Sequence, residues 1–470
     1  MLLRHSAQYL LASGLPGLIN FLAIALYSRL LSPDEYGRYA LVIAGIGLIN
    51  VVFFQWLRLA LSRFLPAHLE NPKLLLSTIL AGFSAMVLLT GGIGLLLSYL
   101  WPDQTWKWLM LLAVPLLWTQ AFFEISLSLN AVKLLPQRYG LINGVKAISA
   151  LAIGAVLIVW GLGPYGPLIG LLLGMLLSIA LWGRTEWNGL SHRISKPLLG
   201  EILCYGLPLT ATFALSFVMS SSDRFLLAWL LGEGPAGIYS ASYDLGQQTL
   251  TMLMTIVNLA AYPLAVRALE QKGMGAAQEQ LRHNATLLLA IALPAAVGIV
   301  VLAPNVSEVL LGISFREDAT RILPWVALSI LLAGVRAYHF DMAFQLGKYT
   351  MGQVWVTATS AILNVFLNFW WIPQFGLIGS AYATFASCLL ALLMSAALGR
   401  KVFVVPFPCY EGLKIAFSSL LMGFLLCFTL THQGLYALIV QVVLGCASYS
   451  AMAFLLDIGR CRTKLLQRFI

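Results

Sequence analysis

Charge is what this chain has least of. Lys, Arg, Asp and Glu together make up 10% of it, where a soluble domain carries about 25%. Cysteine is scarce as well: six residues, none before Cys204. That excludes a disulfide-stapled scaffold and predicts free thiols. No Walker sequence, metal-ligand cluster or catalytic triad signature is present, so nothing points to ATP hydrolysis, a metal centre or nucleophilic catalysis, and no cofactor is expected. Gly161-Leu-Gly163-Pro-Tyr-Gly166 fits GxGxxG, but it is a Pro-containing loop between two apolar runs, not a strand-to-helix turn. Nucleotide binding is therefore set aside.

What is present is apolar length. Hydrophobic residues make up 60% of the 470, in runs of about 20 that can each cross a hydrocarbon core of about 30 Å. A β-barrel would alternate apolar and polar residues, and these runs do not. The first run, Ser6 to Leu31, is too long and continuous for a cleaved signal peptide and reads as a retained helix. The pattern predicts an all-α polytopic membrane protein with helices over about 6–31, 39–63, 75–100, 106–129, 139–160, 165–183, 200–221, 236–266, 285–304, 320–346, 350–371, 376–399, 411–431 and 434–456.

These helices repeat. Leu30-Leu31-Ser-Pro-Asp-Glu-Tyr-Gly37-Arg-Tyr39 returns as Leu230-Leu231-Gly-Glu-Gly-Pro-Ala-Gly237-Ile-Tyr239, and Tyr165-Gly166-Pro-Leu168-Ile169-Gly170 returns as Phe375-Gly376-Leu377-Ile378-Gly379 with a one-residue gap. The expected organisation is two parallel six-helix bundles, residues 1–183 and 200–400, joined by a cytosolic linker at 184–199. Two extra helices and a basic tail follow at 401–470. Parallel repeats of six helices are expected to carry a transport site between them.

The basicity, formally +10, follows the membrane. With both termini in the cytosol, twenty Lys and Arg fall at inner ends or loops. Six fall at outer ends (Arg29, Arg38, Lys107, Arg224, Arg316, Arg321), and Arg58 and Arg336 lie inside helices. This is the positive-inside bias, with attraction to anionic lipid, and it removes the nucleic-acid reading that a basic chain invites.

The few deep charges point to function. Arg58, Glu124, Lys146, Asp244, Arg336 and Asp341 lie well inside the expected helices. Each costs at least about 2.5–3.5 kcal/mol at a lipid-facing helix centre, on the order of 15 kcal/mol together. They must face water or one another. On helix eight, Asp244, Gln247, Gln248, Thr251, Thr255 and Asn258 share one face, with Leu245, Leu250, Met252, Leu253, Ile256 and Val257 on the others. Such a stripe lines a wet cavity or a packed polar seam. Helix seven offers Thr212, Ser216, Ser220 and Asp223; helix two Gln55, Arg58 and Ser62; helix four Gln120, Glu124 and Ser128. On helix ten Arg336 and His339 share a face, and regular α-helical spacing turns Asp341 about 140° away from Arg336. His339 stays open between packing and function. Gly166, Gly170 and Gly174 form a small-residue ridge expected to pack within the chain rather than to dimerise.

Arg offers forked donors to phosphate, and Thr, Gln and Asn suit sugar hydroxyls. The residue reading therefore puts Arg58, Arg336, Lys146, Arg29, Arg224, Gln247, Gln248 and Thr251 on the substrate and Asp244, Glu124 and Asp341 on a coupling ion.

Three segments carry a family likeness: LLSPDEYGRYALV, SSDRFLLAWLLGEGPAGIYSASYDL and NVFLNFWWIPQFGLIGSAYAT. In that order, on fourteen helices, the chain resembles the Wzx-type polysaccharide flippases of the multidrug/oligosaccharidyl-lipid/polysaccharide exporter superfamily. The resemblance implies two six-helix bundles around a cationic cavity in the bacterial inner membrane. It implies transfer of a polyprenyl-diphosphate-linked oligosaccharide, such as an O-antigen unit, by alternating access with H+ or Na+ coupling, and polysaccharide polymerase machinery as a candidate partner. Asp244 departs from the family pattern, so its coupling role rests on the residues alone. The alternatives within the superfamily are a lipid-II flippase and a cation-coupled drug exporter. A polymerase or ligase would need a large outer loop, and none is long enough.

Reporter fusions test the topology. A periplasm-active reporter placed within Thr431–Gly434 is expected to be active, and the same reporter after Ile470 silent. The reverse pattern contradicts the cytosolic termini.

Overall fold

The computed structural model describes residues 2–68, 72–133, 135–182, 187 and 195–466. Most of the 184–199 linker, with Arg184 and Arg193, lies outside the described residues. The fold is all-helical, with fourteen long helices: α1 (Leu2–Leu30), α2 (Pro33–Phe64), α3 (Lys73–Leu100), α4 (Gln104–Val132), α5 (Pro136–Leu157), α6 (Tyr165–Trp182), α7 (Lys196–Leu231), α8 (Glu233–Lys272), α9 (Met274–Leu310), α10 (Arg316–Val335), α12 (Thr350–Phe375), α13 (Leu377–Gly399), α14 (Cys409–Cys427) and α15 (Leu435–Leu455). Two short helices, α11 (Met342–Leu346) and α16 (Cys461–Leu466), complete it. Among the described residues thirteen helices are long and apolar enough to cross a membrane, and α1 adds a shorter apolar stretch, Gly14–Leu30. No disulfide joins the six cysteines, all of which are among the described residues.

The repeated motif is a helix turn. In the first copy Ser32 caps α2: Glu35 N donates to its Oγ, Ser32 N donates back to the Glu35 carboxylate, and Pro33 occupies the first turn. In the second copy Gly232, at φ 101°, makes the same turn with no side-chain cap. Gly37 and Gly237 are buried in both.

The chain divides into two compact units, Met1–Phe225 and Leu226–Ile470, a division that falls within α7. In the first unit α2, α3, α4 and α6 close on a core of Leu57, Leu61, Leu75, Ile79, Leu109 and Leu116, each at most 1% exposed. The first part of α7 belongs here: the Phe217 ring lies over Gly47, Gly206 seats on Trp56, and Tyr205 meets Phe64 edge-on at 5.8 Å. In the second unit Leu250, Met254, Leu288, Ala292, Val326 and Ile330 join α8, α9 and α10. Six internal pairings of the first unit recur in the second. The pairs α2–α3, α2–α4, α2–α6, α3–α4, α4–α6 and α5–α6 in the first have counterparts α8–α9, α8–α10, α8–α13, α9–α10, α10–α13 and α12–α13 in the second. The helices α14 and α15 have no counterpart and lie on α9. A buried clasp holds their turn: Asn305 Nδ2 donates to Gln441 Oε1 at 2.7 Å, and Gly434 N donates to Asn305 Oδ1 at 2.9 Å.

Two features position the deep charges. First, the glycine ridge of α6 seats on the α5 backbone, as expected for packing within the chain. A Cβ on Gly170 would sit 2.6 Å from Ala150 O and Gly154 N, and one on Gly174 would sit 2.9 Å from Lys146 O. Second, the helix expected over 320–346 is interrupted. Between α10 and α11, Arg336–Phe340 forms a π-helical turn, in which Asp341 N donates to Arg336 O at 2.8 Å. A second π-helical turn, Ile158–Leu162, ends α5, and Gly163–Pro164 turns the chain into α6, with Gly161 at φ 88° and Gly163 at φ 51°.

Because backbone fills the space where a Gly170 side chain would go, Gly170→Leu is expected to lower stability by about 1–3 kcal/mol. The thermal midpoint of detergent-solubilised protein reads this, and a midpoint equal to wild type contradicts the close α5–α6 approach.

Candidate functional site

Each unit holds one deep arginine paired with a carboxylate. In the first, α2 and α4 pack through apolar side chains and bring Arg58 and Glu124 together, with Nη1 to Oε2 at 3.0 Å. The pair is partly open, its side chains 36% and 27% exposed. Asn50 Nδ2 donates to the same Oε2 at 3.0 Å, and Gln120 Nε2 donates to Oε1 at 3.1 Å. On α5, Lys146 Nζ lies 5.3 Å from the centroid of the ring of Phe123, the residue before Glu124, within cation–π range. Arg58 and Glu124 form the pair, with Gln120 as the i, i+4 partner of the acid.

In the second unit the π-helical turn corrects the expected geometry. Regular spacing would have turned Asp341 away from Arg336; i→i+5 winding sets it back alongside. Arg336 Nε lies 3.5 Å from Asp341 Oδ2, with side chains 13% and 1% exposed. Ser395 Oγ, on α13, donates to Asp341 Oδ1 at 2.6 Å. Arg336 Nε and Nη1, Asp341 Oδ2 and His339 Nε2 are buried and make no hydrogen bond among the described residues. His339 stands edge-on to Phe340 and Phe407, and those two rings stack at 5.9 Å. The 401–408 segment also contributes Phe403 and Val405 to the core around α11. The second pair is nearly closed where the first is open.

The polar face of α8 is present as expected. Gln247 and Thr255 are exposed, and Asp244, Gln248, Thr251 and Asn258 are half-buried. Of the apolar residues expected on the other faces, Leu245 and Leu250 are buried, Met252, Leu253 and Val257 are half-buried and Ile256 is exposed; Leu250, with Met254, packs against α9 and α10. Thr255 Oγ1 and Tyr338 OH share a hydrogen bond of 2.9 Å. Arg29 is exposed near the end of α1, and Arg224 is half-buried on α7. The structure thus joins Arg58 with Glu124, and Arg336 with Asp341, it sets Lys146 over the ring of the neighbouring Phe123, and it puts Gln247, Gln248 and Thr251 on one face with Asp244.

Sequence reasoning missed Asn50, about two turns before Arg58 on α2, although it was a polar residue in a long apolar run. It also missed a buried network in the second unit. Tyr239 OH and Thr384 Oγ1 lie 3.1 Å apart, Asn364 Nδ2 donates to Thr384 Oγ1 at 3.4 Å, and Asn368 Nδ2 donates to Asn364 O at 2.9 Å. These residues belong to segments that carry the family likeness, and they bind α8, α12 and α13 together.

Known proteins fit this architecture. The chain is 17% identical to a lipid II flippase, MurJ, solved in an inward closed conformation; the match covers 96% of this chain and 98% of that one at a TM-score of 0.81. An inward-facing multidrug resistance MATE transporter of the MOP superfamily matches over 84% of this chain and 98% of its own, at 13% identity and a TM-score of 0.60. These likenesses establish the fold. In sequence, the chain is 20% identical to a Shigella flexneri protein named for O-antigen transport, over 81% of this chain and 93% of that protein. It is 22% identical to a Haloferax volcanii protein named as a probable low-salt glycan biosynthesis flippase, Agl15, over 94% and 93%. Residues 26–319 match the family described as polysaccharide biosynthesis protein, and this chain, a multi-pass membrane protein, belongs to that family.

Proposed function

We propose that the chain is a flippase that moves a polyprenyl-diphosphate-linked oligosaccharide across the bacterial inner membrane by alternating access, driven by H+ or Na+. The observation that carries this reading is the pairing of each deep arginine with a carboxylate, Arg58 with Glu124 and Arg336 with Asp341. A diphosphate cannot enter hydrocarbon unpaired. An arginine already held by a carboxylate is a cation that a stronger anionic partner can take. Both curated relatives carry names that concern glycan export or flipping, which supports the substrate class.

In this reading Arg58 and Arg336 engage the diphosphate with Lys146 beside the first. Gln247, Gln248 and Thr251 meet sugar hydroxyls, and Arg29 and Arg224 serve the outer mouth. Asp244 takes the coupling ion from outside, while Glu124 and Asp341 release it towards the cytosol. A bound ion shifts the protein between two facing states only through different affinities for them. A drug exporter for organic cations would need its acids available to the cargo, whereas Glu124 and Asp341 are already engaged by arginine. That favours the glycan reading.

Proteoliposomes with a lipid-linked oligosaccharide and an imposed proton or sodium gradient test the assignment. Arg58→Gln and Arg336→Gln are expected to lower flipping about tenfold or more, the scale of a lost hydrogen bond to a charged group. Asp244→Asn should keep substrate binding but lose stimulation by the gradient. Normal flipping by both arginine variants removes them from the mechanism, and undiminished gradient stimulation of the Asp244 variant removes Asp244 from coupling.

A further inference from the structure

Glu124 has more donors than an ion pair requires. Arg58 would suffice to balance its charge, yet Asn50 Nδ2 and Gln120 Nε2 also donate to it, one to each oxygen, at 3.0 and 3.1 Å. Asn50 is on α2 and only 5% exposed; Gln120 is on α4, one turn before the acid. Both are neutral amides, so they solvate the carboxylate without adding a cation that would compete with Arg58.

Their effect is greatest when Arg58 is elsewhere. If the guanidinium moves onto a diphosphate while no coupling ion sits on Glu124, the carboxylate stays ionised within a membrane-embedded helix bundle. A charge stripped of donors there is strongly disfavoured, so without the amides the acid would hold Arg58 against any incoming anion. With them, two donors stay behind. We infer that Asn50 and Gln120 are positioning residues that hold the Glu124 carboxylate while Arg58 is lent to an anionic substrate, which sets how readily the substrate displaces Arg58 from its resting partner. The second unit repeats the arrangement in reduced form, with the Ser395 hydroxyl on Asp341 at 2.6 Å. The inference rests on the reading of a diphosphate-bearing lipid as substrate.

The full chain in phosphatidylcholine nanodiscs, titrated with inorganic diphosphate and separately with a polyprenyl diphosphate, provides the test. Asn50→Leu with Gln120→Leu is expected to weaken both affinities about ten- to a hundredfold, the scale of hydrogen bonds to a charged group. Glu124→Gln, which leaves Arg58 without a competitor, should tighten them. In the Glu124→Gln background the two leucine substitutions should have no further effect, because no charge remains to be held. A merely structural role would weaken binding equally in both backgrounds, and that result overturns the inference. So does unchanged affinity in the double leucine variant, or failure of wild type to bind either probe. If the buried Asn50 change prevents folding, Gln120→Leu alone, at a half-buried position, carries the same comparison. Inorganic diphosphate behaving as expected while the polyprenyl probe does not bind would overturn the lipid substrate and leave the role of the amides standing.

Discussion

A charged side chain inside a bilayer must be paired or wet, and the placement of the deep charges follows from that constraint. Glu124 is met from α2 by Arg58 and Asn50 and from its own helix by Gln120. Asp341 is met by Arg336 across one π-helical turn and by Ser395 from α13. The helix packing that makes these meetings possible is apolar and close, as where α6 glycines rest on the α5 backbone beneath Lys146. Pairing keeps the charges tolerable, and it also makes them exchangeable, because a guanidinium held by one anion can be passed to another.

The two units solve the problem differently. Six helix pairings recur in each, but the first pair is about a third exposed and met by two amides, while the second is nearly closed. The second also keeps buried polar atoms on Arg336, His339 and Asp341 that make no hydrogen bond among the described residues. Buried donors and acceptors without hydrogen bonds are a reason for that turn to rearrange, and the π-helical winding is a local departure from the helix ladder of a kind frequent at functional sites. The polar face of α8 is the third element, a row of amides and hydroxyls headed by Asp244.

Much of this was legible in the sequence. Apolar runs of membrane length gave the helices, the recurrence of the Leu-Leu and Gly-x-Tyr turn at residues 30–39 and 230–239 gave the repeat, and periodicity gave the α8 stripe. What periodicity could not give was any departure from itself. The π-helical turn at Arg336–Phe340 brings Asp341 beside Arg336, where a regular helix would separate them. Pairing between helices was hidden for a related reason: Arg58 and Glu124 are 66 residues apart, and only the packing of α2 on α4 joins them. Asn50 escaped notice because a single amide in an apolar run carries no local signal of a partner. The buried Asn364, Asn368, Tyr239 and Thr384 network shows the converse, a recognisable sequence segment that serves packing.

Deep arginines are held by carboxylates within their own unit, and charge reversal of the first pair tests that pairing. Arg58→Glu and Glu124→Arg would each leave like charges facing one another, and their combination would restore an opposite pair. The thermal stabilities of the two single variants and the double variant are to be compared with wild type. The account predicts that the double variant recovers a coupling of roughly 0.5–3 kcal/mol relative to the sum of the single losses. A double variant no more stable than that sum would contradict it.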